Sequence, residues 1–426
     1  GHVPLTEHYS YTAAGRDWTN HEWLWEAIAY AVHRVGGMPL MALMIATTVT
    51  ATLAVLLRLT RASGYAVPAI LAVVLPPMSS AWTMRPAVTS LLLFAVTMLL
   101  LARERYLLVP AVFLLWANLH AQVVMGGVLL VAATAVAAVR WLRSRAPAER
   151  SRTFRLALTS TGAALATLLT PLGPGLWTYV LGANGRPGQH DINEWHNAFE
   201  VGPLTVWFWA LAVLALTAGL WRRDRLRAWS DQVCLAAAVS MLPLAVLAIR
   251  NIAFFVVAVT PLLMTLLELH HPAHPPGTVG RPRRRLIGLA ALATACVVAL
   301  WTLLPAGMGW RPVTPALADA LRACPGHVFT SYNTGAPLIW WTPEVKVFVD
   351  NRQDPYPARV LDVGLNIAGW NYYRTFEEYG VQCALIEPES SLASGLHRGG
   401  WSSVYRYRDV SLWVAPAAPR ATTATE

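Results

Sequence analysis

Apolar runs alternate with short arginine-rich loops along most of this chain. A membrane-crossing helix needs roughly 20 consecutive apolar residues, and runs close to that length recur here. They predict about ten transmembrane helices, at 38–57, 65–78, 87–102, 107–118, 122–140, 156–171, 204–221, 232–249, 252–269 and 286–305. Residues 1–37 then form an outer loop with an amphipathic interfacial helix, and 38–305 form a transmembrane helical domain.

The apolar runs stop near residue 310, and a small α/β domain is predicted over 306–415. Strands are expected at 327–330, 345–350 and 382–387, with a closing hairpin of 402–406 and 410–414. Helices are expected around 337–341, 358–368 and 371–380. The Ala/Thr-rich tail, 416–426, is expected to be disordered.

Composition supports a membrane protein over a soluble one. The 426 residues are 55% hydrophobic and only 13% charged, whereas a soluble domain carries about 25% charged residues. The net charge of +10 is spread over loops between apolar runs and not over one soluble face. The chain is therefore not expected to bind nucleic acid.

Arginine is distributed unequally between alternate loops. One set of loops holds Arg58, Arg61, Arg103, Arg105 and the clusters in 140–155, 222–227 and 281–285. The other set holds only Arg16, Arg34, Arg85, Arg186 and Arg250. By the positive-inside rule the first set faces the cytoplasm, so the N-terminal segment, the 171–203 loop and the C-terminal domain are expected on the outer side of the cell (plasma) membrane.

Acidic residues are missing from the middle of the predicted spans and cluster in outer segments. This argues against an ion-coupled transporter, which usually keeps intramembrane charge for function. The outer acids are Glu7, Asp17, Glu22, Glu26, Asp191, Glu194 and Glu200. Any chemistry is therefore expected at the outer membrane interface.

Five outer segments contain candidate site residues, each with a plainer alternative. His21 and Glu22 either belong to a site or begin an interfacial helix. Arg85 and Arg250 either bind a phosphate or extend to lipid headgroups. Asn118 and His120 either bind substrate or hydrogen-bond the tip of a tight helical hairpin. The 171–203 loop, with Glu194 and Trp195 at its acidic centre, is longer than a connector needs.

These motifs resemble the bacterial C-type (GT-C superfamily) integral-membrane glycosyltransferases, and within them an uncharacterised subgroup. The resemblance covers most of the chain. It rests on Tyr-Ser-Tyr-Thr at 9–12, His-Glu-Trp-Leu at 21–24, Arg-Pro at 85–86, Trp-Ala-Asn-Leu-His at 116–120, Thr-Pro-Leu-Gly at 170–173, Glu-Trp at 194–195 and Val-Phe-Val-Asp-Asn-Arg at 347–352.

The resemblance implies a catalytic carboxylate in the first outer loop and a polyprenyl-phosphate sugar donor. Similar proteins carry a first span and an acidic motif before the position where this chain starts, so we expect both to be missing here. Glu22, Glu7 and His21 are then the catalytic candidates that remain in this loop. The implied partners are membrane lipid, a lipid-linked sugar and an unidentified acceptor. No cofactor is certain, although a divalent cation is possible, and no metal-ligand motif stands out.

Two other functions stay open, a lipid flippase or transporter and a non-catalytic membrane scaffold. The cysteines add one further expectation. Cys234 and Cys296 lie in or beside spans and should be inert thiols. Cys324 and Cys383 lie in the outer domain, where a disulfide could form. With strand order unknown, two buried free thiols are favoured over a bridge.

Overall fold

The computed structural model describes residues 3–60, 66–182, 192–200, 202–267, 313–367 and 371–416. They divide into two compact units, and the boundary near the N-terminus falls between Asn20 and His21. The described residues before it belong with the C-terminal domain, while those from 21 to 267 form the helical unit. The predicted outer loop, 1–37, is therefore shared between the two units.

The helical unit contains ten α-helices among its described residues. They are α1 Trp23–Leu59, α2 Ala66–Met78, α3 Ala87–Ala102, α4 Val109–Leu119, α5 Val123–Ser144, α6 Pro147–Ala166, α7 Gly175–Leu181, α8 Pro203–Trp221, α9 Trp229–Leu247 and α10 Ile252–Leu266. Five of these helices are long and apolar enough to cross a membrane: α1, α5, α8, α9 and α10. The chain is thus a mostly helical protein with several candidate membrane spans.

The remaining predicted spans are less clear. Those at 65–78, 87–102 and 107–118 correspond to shorter apolar helices. The span predicted at 156–171 falls largely within α6, whose first turns carry charged residues. The tenth, 286–305, lies outside the described residues, so the number of about ten stays a prediction.

Helix α1 is broken near its middle, at Gly36 and Gly37. Gly37 has φ +61° and ψ −156°, a conformation that side-chain-bearing residues avoid. The break separates the predicted interfacial segment from the predicted span at 38–57. A helical segment is therefore present on each side of the break, and the interfacial position of the first segment stays a prediction.

Helix α10 lies at the centre of the helical unit. All of its residues except Thr265 are buried, and it packs against α9, α2, α8 and α3. A helix that is apolar on every side must be surrounded by other helices or by lipid. Since protein covers it here, α10 holds the bundle together.

One end of the bundle is built from ion pairs. Arg140 near the end of α5 contacts Glu149 at 2.8 Å, and Arg152 contacts Glu149 at 2.7 Å and Glu104 at 2.9 Å. The tip of the α4–α5 hairpin lies at the opposite end of α5, about 26 Å away at 1.5 Å per residue. This network and the tip of the α4–α5 hairpin therefore lie at opposite ends of α5.

The C-terminal domain is built around a four-stranded mixed sheet in the order β1-β2-β4-β3. Its strands are β1 His327–Thr330, β2 Val381–Ile386, β3 Ser402–Tyr407 and β4 Val410–Val414. Its helices are α11 Pro315–Arg322, α12 Gly335–Trp341, α13 Ala358–Asn366, α14 Tyr372–Glu378 and α15 Ser391–Arg398. Four of the five predicted strands and all three predicted helices are present, while α11 and α15 were not predicted.

The strand predicted at 345–350 is wrong. Val347, Phe348 and Val349 are fully buried, which explains the apolar run, but they join no sheet. The backbone of Val347 instead bonds the N-terminal segment, donating to Tyr9 at 3.0 Å and accepting from Tyr11 at 3.2 Å. A buried apolar run predicts burial, but it does not predict which segment its backbone will hydrogen-bond.

The expectation of two free thiols in this domain is also wrong, because Cys324 and Cys383 form a disulfide. Strands β1 and β2 are parallel neighbours, with Val328 opposite Cys383. The Cα atoms of the two cysteines lie 6.2 Å apart, within the range that a bridge requires. A disulfide is consistent with an extracytoplasmic domain, because such compartments are oxidising. Cys234 is a buried free thiol, as predicted, and Cys296 lies outside the described residues.

Candidate functional site

Two histidines and a glutamate meet where α1 begins and α4 ends. The Nε2 atoms of His21 and His120 each lie 3.3 Å from the same carboxylate oxygen, Oε1 of Glu22. The His120 side chain is buried, whereas 32% of the Glu22 side chain is exposed. The cluster therefore combines a buried histidine with a carboxylate that solvent or a ligand can reach.

Asn118 ties the two helix ends together. Its carbonyl oxygen accepts a hydrogen bond from the Trp23 indole at 3.0 Å. Its amide donates to the carbonyl oxygens of Leu114 at 2.9 Å and Leu169 at 3.0 Å. Because Trp23 follows Glu22 directly and Asn118 is two residues before His120, these bonds bring the carboxylate and the imidazole together.

A buried polar chain orients the imidazole of His120. Its Nδ1 atom lies 2.9 Å from Oγ of Ser90 on α3, and the same oxygen accepts a hydrogen bond from the Trp116 indole at 2.9 Å. Ser90 and Trp116 are fully buried. The imidazole is thus fixed with Nε2 directed at Glu22.

His21 is held by an aromatic neighbour that the sequence did not predict. The Tyr179 ring on α7 stacks on the imidazole with 4.3 Å between ring centroids, and its hydroxyl lies 3.5 Å from Nε2 of His21. Tyr179 therefore belongs to the cluster. No motif surrounds it in the sequence, and only the fold brings α7 to this position.

The surroundings set the charges in the cluster. Burial alone would raise the pKa of the Glu22 carboxyl, but its hydrogen bonds with His120 and His21 outweigh that effect, so the pKa lies well below its usual value. Burial lowers the pKa of His120, and its contact with Glu22 only partly opposes this. At neutral pH Glu22 is therefore an anion and His120 is neutral.

Two of the predicted phosphate-binding arginines meet at Glu194. Arg85 lies 3.2 Å from Oε2 and Arg250 lies 3.6 Å from Oε1 of this carboxylate. The Arg250 guanidinium also sits over the Trp195 ring, 4.5 Å from its centroid. The positive charge of Arg250 contributes to the lowered pKa of His120, so the arginine pair and the histidine cluster are electrostatically linked.

Glu7 is placed in the other unit. It is fully buried, and its Oε1 atom accepts hydrogen bonds from the backbone N–H groups of Tyr9 and Ser10 at 2.6 and 2.7 Å. Its Oε2 atom lies 2.6 Å from the Arg352 guanidinium, which also binds Asp350. With both oxygens held by its own unit, Glu7 has the environment of a structural carboxylate.

Sequence analysis thus identified most site residues of the helical unit. It did not identify the side chains that hydrogen-bond to them or stack on them. Ser90 looked like an ordinary position of an apolar helix, and Trp116 was noted only as part of the motif at 116–120. A serine inside an otherwise apolar run was the available signal for Ser90, since a buried hydroxyl needs a partner.

A scan of the chain against protein-family models found no match, and a search of the curated proteins also found none. The class that the fold itself supports is a multi-pass membrane protein with a disulfide-bonded sheet domain. The resemblance to C-type glycosyltransferases rests on the sequence motifs alone.

Proposed function

We propose that this protein is an integral-membrane glycosyltransferase of the C-type superfamily, which transfers a sugar from a polyprenyl-phosphate donor at the outer face of the membrane. One observation carries the proposal. A partly exposed, ionised carboxylate, Glu22, is held by two histidines at the bundle end opposite the arginine-rich network. That is the place and the group that transfer from a membrane-bound donor requires.

The reaction exchanges one carbon–oxygen bond for another at the anomeric carbon. An acceptor hydroxyl oxygen bonds to this carbon, while the bond from the carbon to the phosphate oxygen breaks and the polyprenyl phosphate leaves. The hydroxyl proton passes to Glu22. Because the histidine contacts make Glu22 a weak base, its main role is to orient the hydroxyl and receive the proton late, as the new bond forms.

The arginine pair supplies the charge that the leaving group needs. Negative charge grows on the phosphate as the bond breaks, and guanidinium groups bind phosphate oxygens in a fork geometry. Glu194 holds Arg85 and Arg250 together at 3.2 and 3.6 Å. A donor phosphate that binds between the two arginines would replace part of their contact with Glu194. Before the donor binds, Glu194 holds the two guanidinium groups near each other.

The wider architecture in this proposal has about ten spans, as the apolar runs predict. The N-terminal segment, the cluster and the C-terminal domain lie outside the cytoplasm. The lipid tail of the donor would lie among the helices, and the acceptor would approach from the outer side in the cell envelope.

Donor turnover by the purified protein in lipid nanodiscs tests the proposal. Undecaprenyl-phosphate and decaprenyl-phosphate sugars would be supplied with a panel of glycan acceptors, and released polyprenyl phosphate would be measured by chromatography. A transferase consumes donor and labels an acceptor. Movement of intact donor across liposomes without consumption would instead identify a flippase, and neither activity would identify a scaffold.

A further inference from the structure

The cluster of His21, Glu22 and His120 has the composition of a metal site. Each residue presents one ligand atom, and the three atoms lie within 4.8 Å of one another. Two imidazole nitrogens face a single carboxylate oxygen, each at 3.3 Å. A metal ion accepts electron pairs from all three atoms at once.

The distances match the dimensions of a zinc site. Zinc binds histidine nitrogen and carboxylate oxygen at about 2.0–2.2 Å with tetrahedral geometry, which places neighbouring ligand atoms roughly 3.3 Å apart. Both nitrogen–oxygen separations in the cluster have this value. The third separation, between the two nitrogens, is at most 4.8 Å, so His21, the more exposed histidine, would move toward His120 when an ion binds.

The surroundings of the ligands support the same conclusion. A metal-binding histidine usually forms a hydrogen bond through its other ring nitrogen, which fixes its tautomer and direction. Nδ1 of His120 lies 2.9 Å from Ser90, which is fixed in turn by Trp116. Stacking on Tyr179 restricts the His21 ring in a comparable way.

We propose that His21, Glu22 and His120 bind one transition-metal dication of the zinc type. Two imidazoles and one carboxylate suit zinc better than magnesium or calcium, which prefer oxygen ligands. Three protein ligands leave a fourth position open, as in catalytic and not structural zinc sites. That position would accept water or a phosphate oxygen.

Zinc titration of the full chain tests this proposal without any assay of sugar transfer. Tag-free protein in detergent, first stripped with a chelator, would be titrated with Zn²⁺ against a competing chromophoric chelator. We expect one tight zinc per chain. His21→Gln and Glu22→Gln should each weaken it at least about 100-fold, since losing even an outer-shell partner costs 10–100-fold.

His196→Gln is the matched control. His196 also pairs with a carboxylate, Glu200, at 2.7 Å, but with no third ligand in the metal-binding groups found among the described residues. It should leave the tight zinc unchanged. The histidines at 270, 271 and 274 are present in every variant, so any zinc they bind cancels in the comparison.

Equal zinc affinity in wild type, His21→Gln and Glu22→Gln would overturn the proposal. If a variant fails to fold, the visible spectrum of wild-type protein loaded with Co²⁺ tests the proposal instead. Absorption typical of a tetrahedral nitrogen–oxygen site, abolished by excess zinc, would support the metal site. The absence of that absorption would refute it. If the chelator-treated protein still turns over donor, the metal is not needed for catalysis. The proposed transferase function would stand in that case.

Discussion

At the scale of single residues, the site depends on side chains that never face a ligand. Ser90 illustrates this, because its hydroxyl oxygen accepts the Trp116 indole and also contacts Nδ1 of His120. These three side chains lie on two different helices and are all buried. A small polar residue thus couples the stability of the bundle to the direction of the His120 imidazole.

Ser90→Ala should therefore destabilise the protein and disturb the site together. The substitution leaves the buried Trp116 N–H without its acceptor, which costs about 1–3 kcal/mol. The free energy of unfolding in detergent, followed by tryptophan fluorescence, should fall by that amount.

Thr97→Val on the same helix is the matched control for Ser90→Ala. The Thr97 hydroxyl donates only to the Leu93 carbonyl oxygen, at 2.8 Å, so its loss orphans no donor. A smaller change is expected there. Equal changes in the two variants would show that the hydrogen-bonded chain contributes nothing specific.

At the scale of secondary-structure elements, the sequence predicted those that depend only on a short stretch of neighbouring residues. The hairpin of β3 and β4 and strand β1 follow from short runs of residues and the turns beside them. The failures concern partners that are distant in sequence. Val347 is buried as its apolar run predicts, yet its backbone bonds residues 9 and 11, which lie more than 300 positions away.

The candidate site shows the same division. Polar residues in outer turns identified His21, Glu22 and His120, because polar groups among apolar runs are conspicuous. Tyr179 could not be found in this way, since an aromatic residue in a short helix is unremarkable. That His21 and His120 contact the same carboxylate is evident only from the packing of α1 against α4.

The disulfide gives a prediction at this scale. Cys324 and Cys383 are 59 positions apart in the sequence, and a bridge over such a loop is worth about 4 kcal/mol in the chain-entropy model. Both cysteines should resist alkylation in mass spectrometry until reductant is added. Reductant should also lower the unfolding temperature of the C-terminal domain.

Cys324→Ala combined with Cys383→Ala provides the control for this effect. The double variant should already unfold at the lower temperature, and reductant should not change it further. Full alkylation of both cysteines in unreduced wild-type protein would contradict the bridge.

At the scale of the whole molecule, the arginine distribution predicts that the two ends of the helical unit lie on opposite sides of the membrane. On this prediction the ion-pair network of Arg140, Glu149 and Arg152 lies at the cytoplasmic end and the histidine cluster at the outer end. Cysteine accessibility in intact cells measures this assignment, in a background where Cys234 and Cys296 are replaced by alanine.

Asn197→Cys and Ser144→Cys form the informative pair, because both positions are exposed and lie near opposite ends. A membrane-impermeant maleimide should label Asn197→Cys in intact cells and Ser144→Cys only after permeabilisation. The reverse pattern would place the cluster in the cytoplasm and remove the basis for an outer-face transferase.

The central claim is that the Glu22 carboxylate performs chemistry, and its most direct measurement is the donor turnover rate of Glu22→Gln in nanodiscs. Glutamine keeps the shape but cannot accept the proton, so the rate should fall about 10²–10⁴-fold, the usual contribution of a positioned acid or base. Glu200→Gln removes an outer carboxylate that also contacts a histidine, and its rate should equal that of wild type. If Glu22→Gln instead turns over donor as fast as wild type and Glu200→Gln, Glu22 is not the catalytic carboxylate.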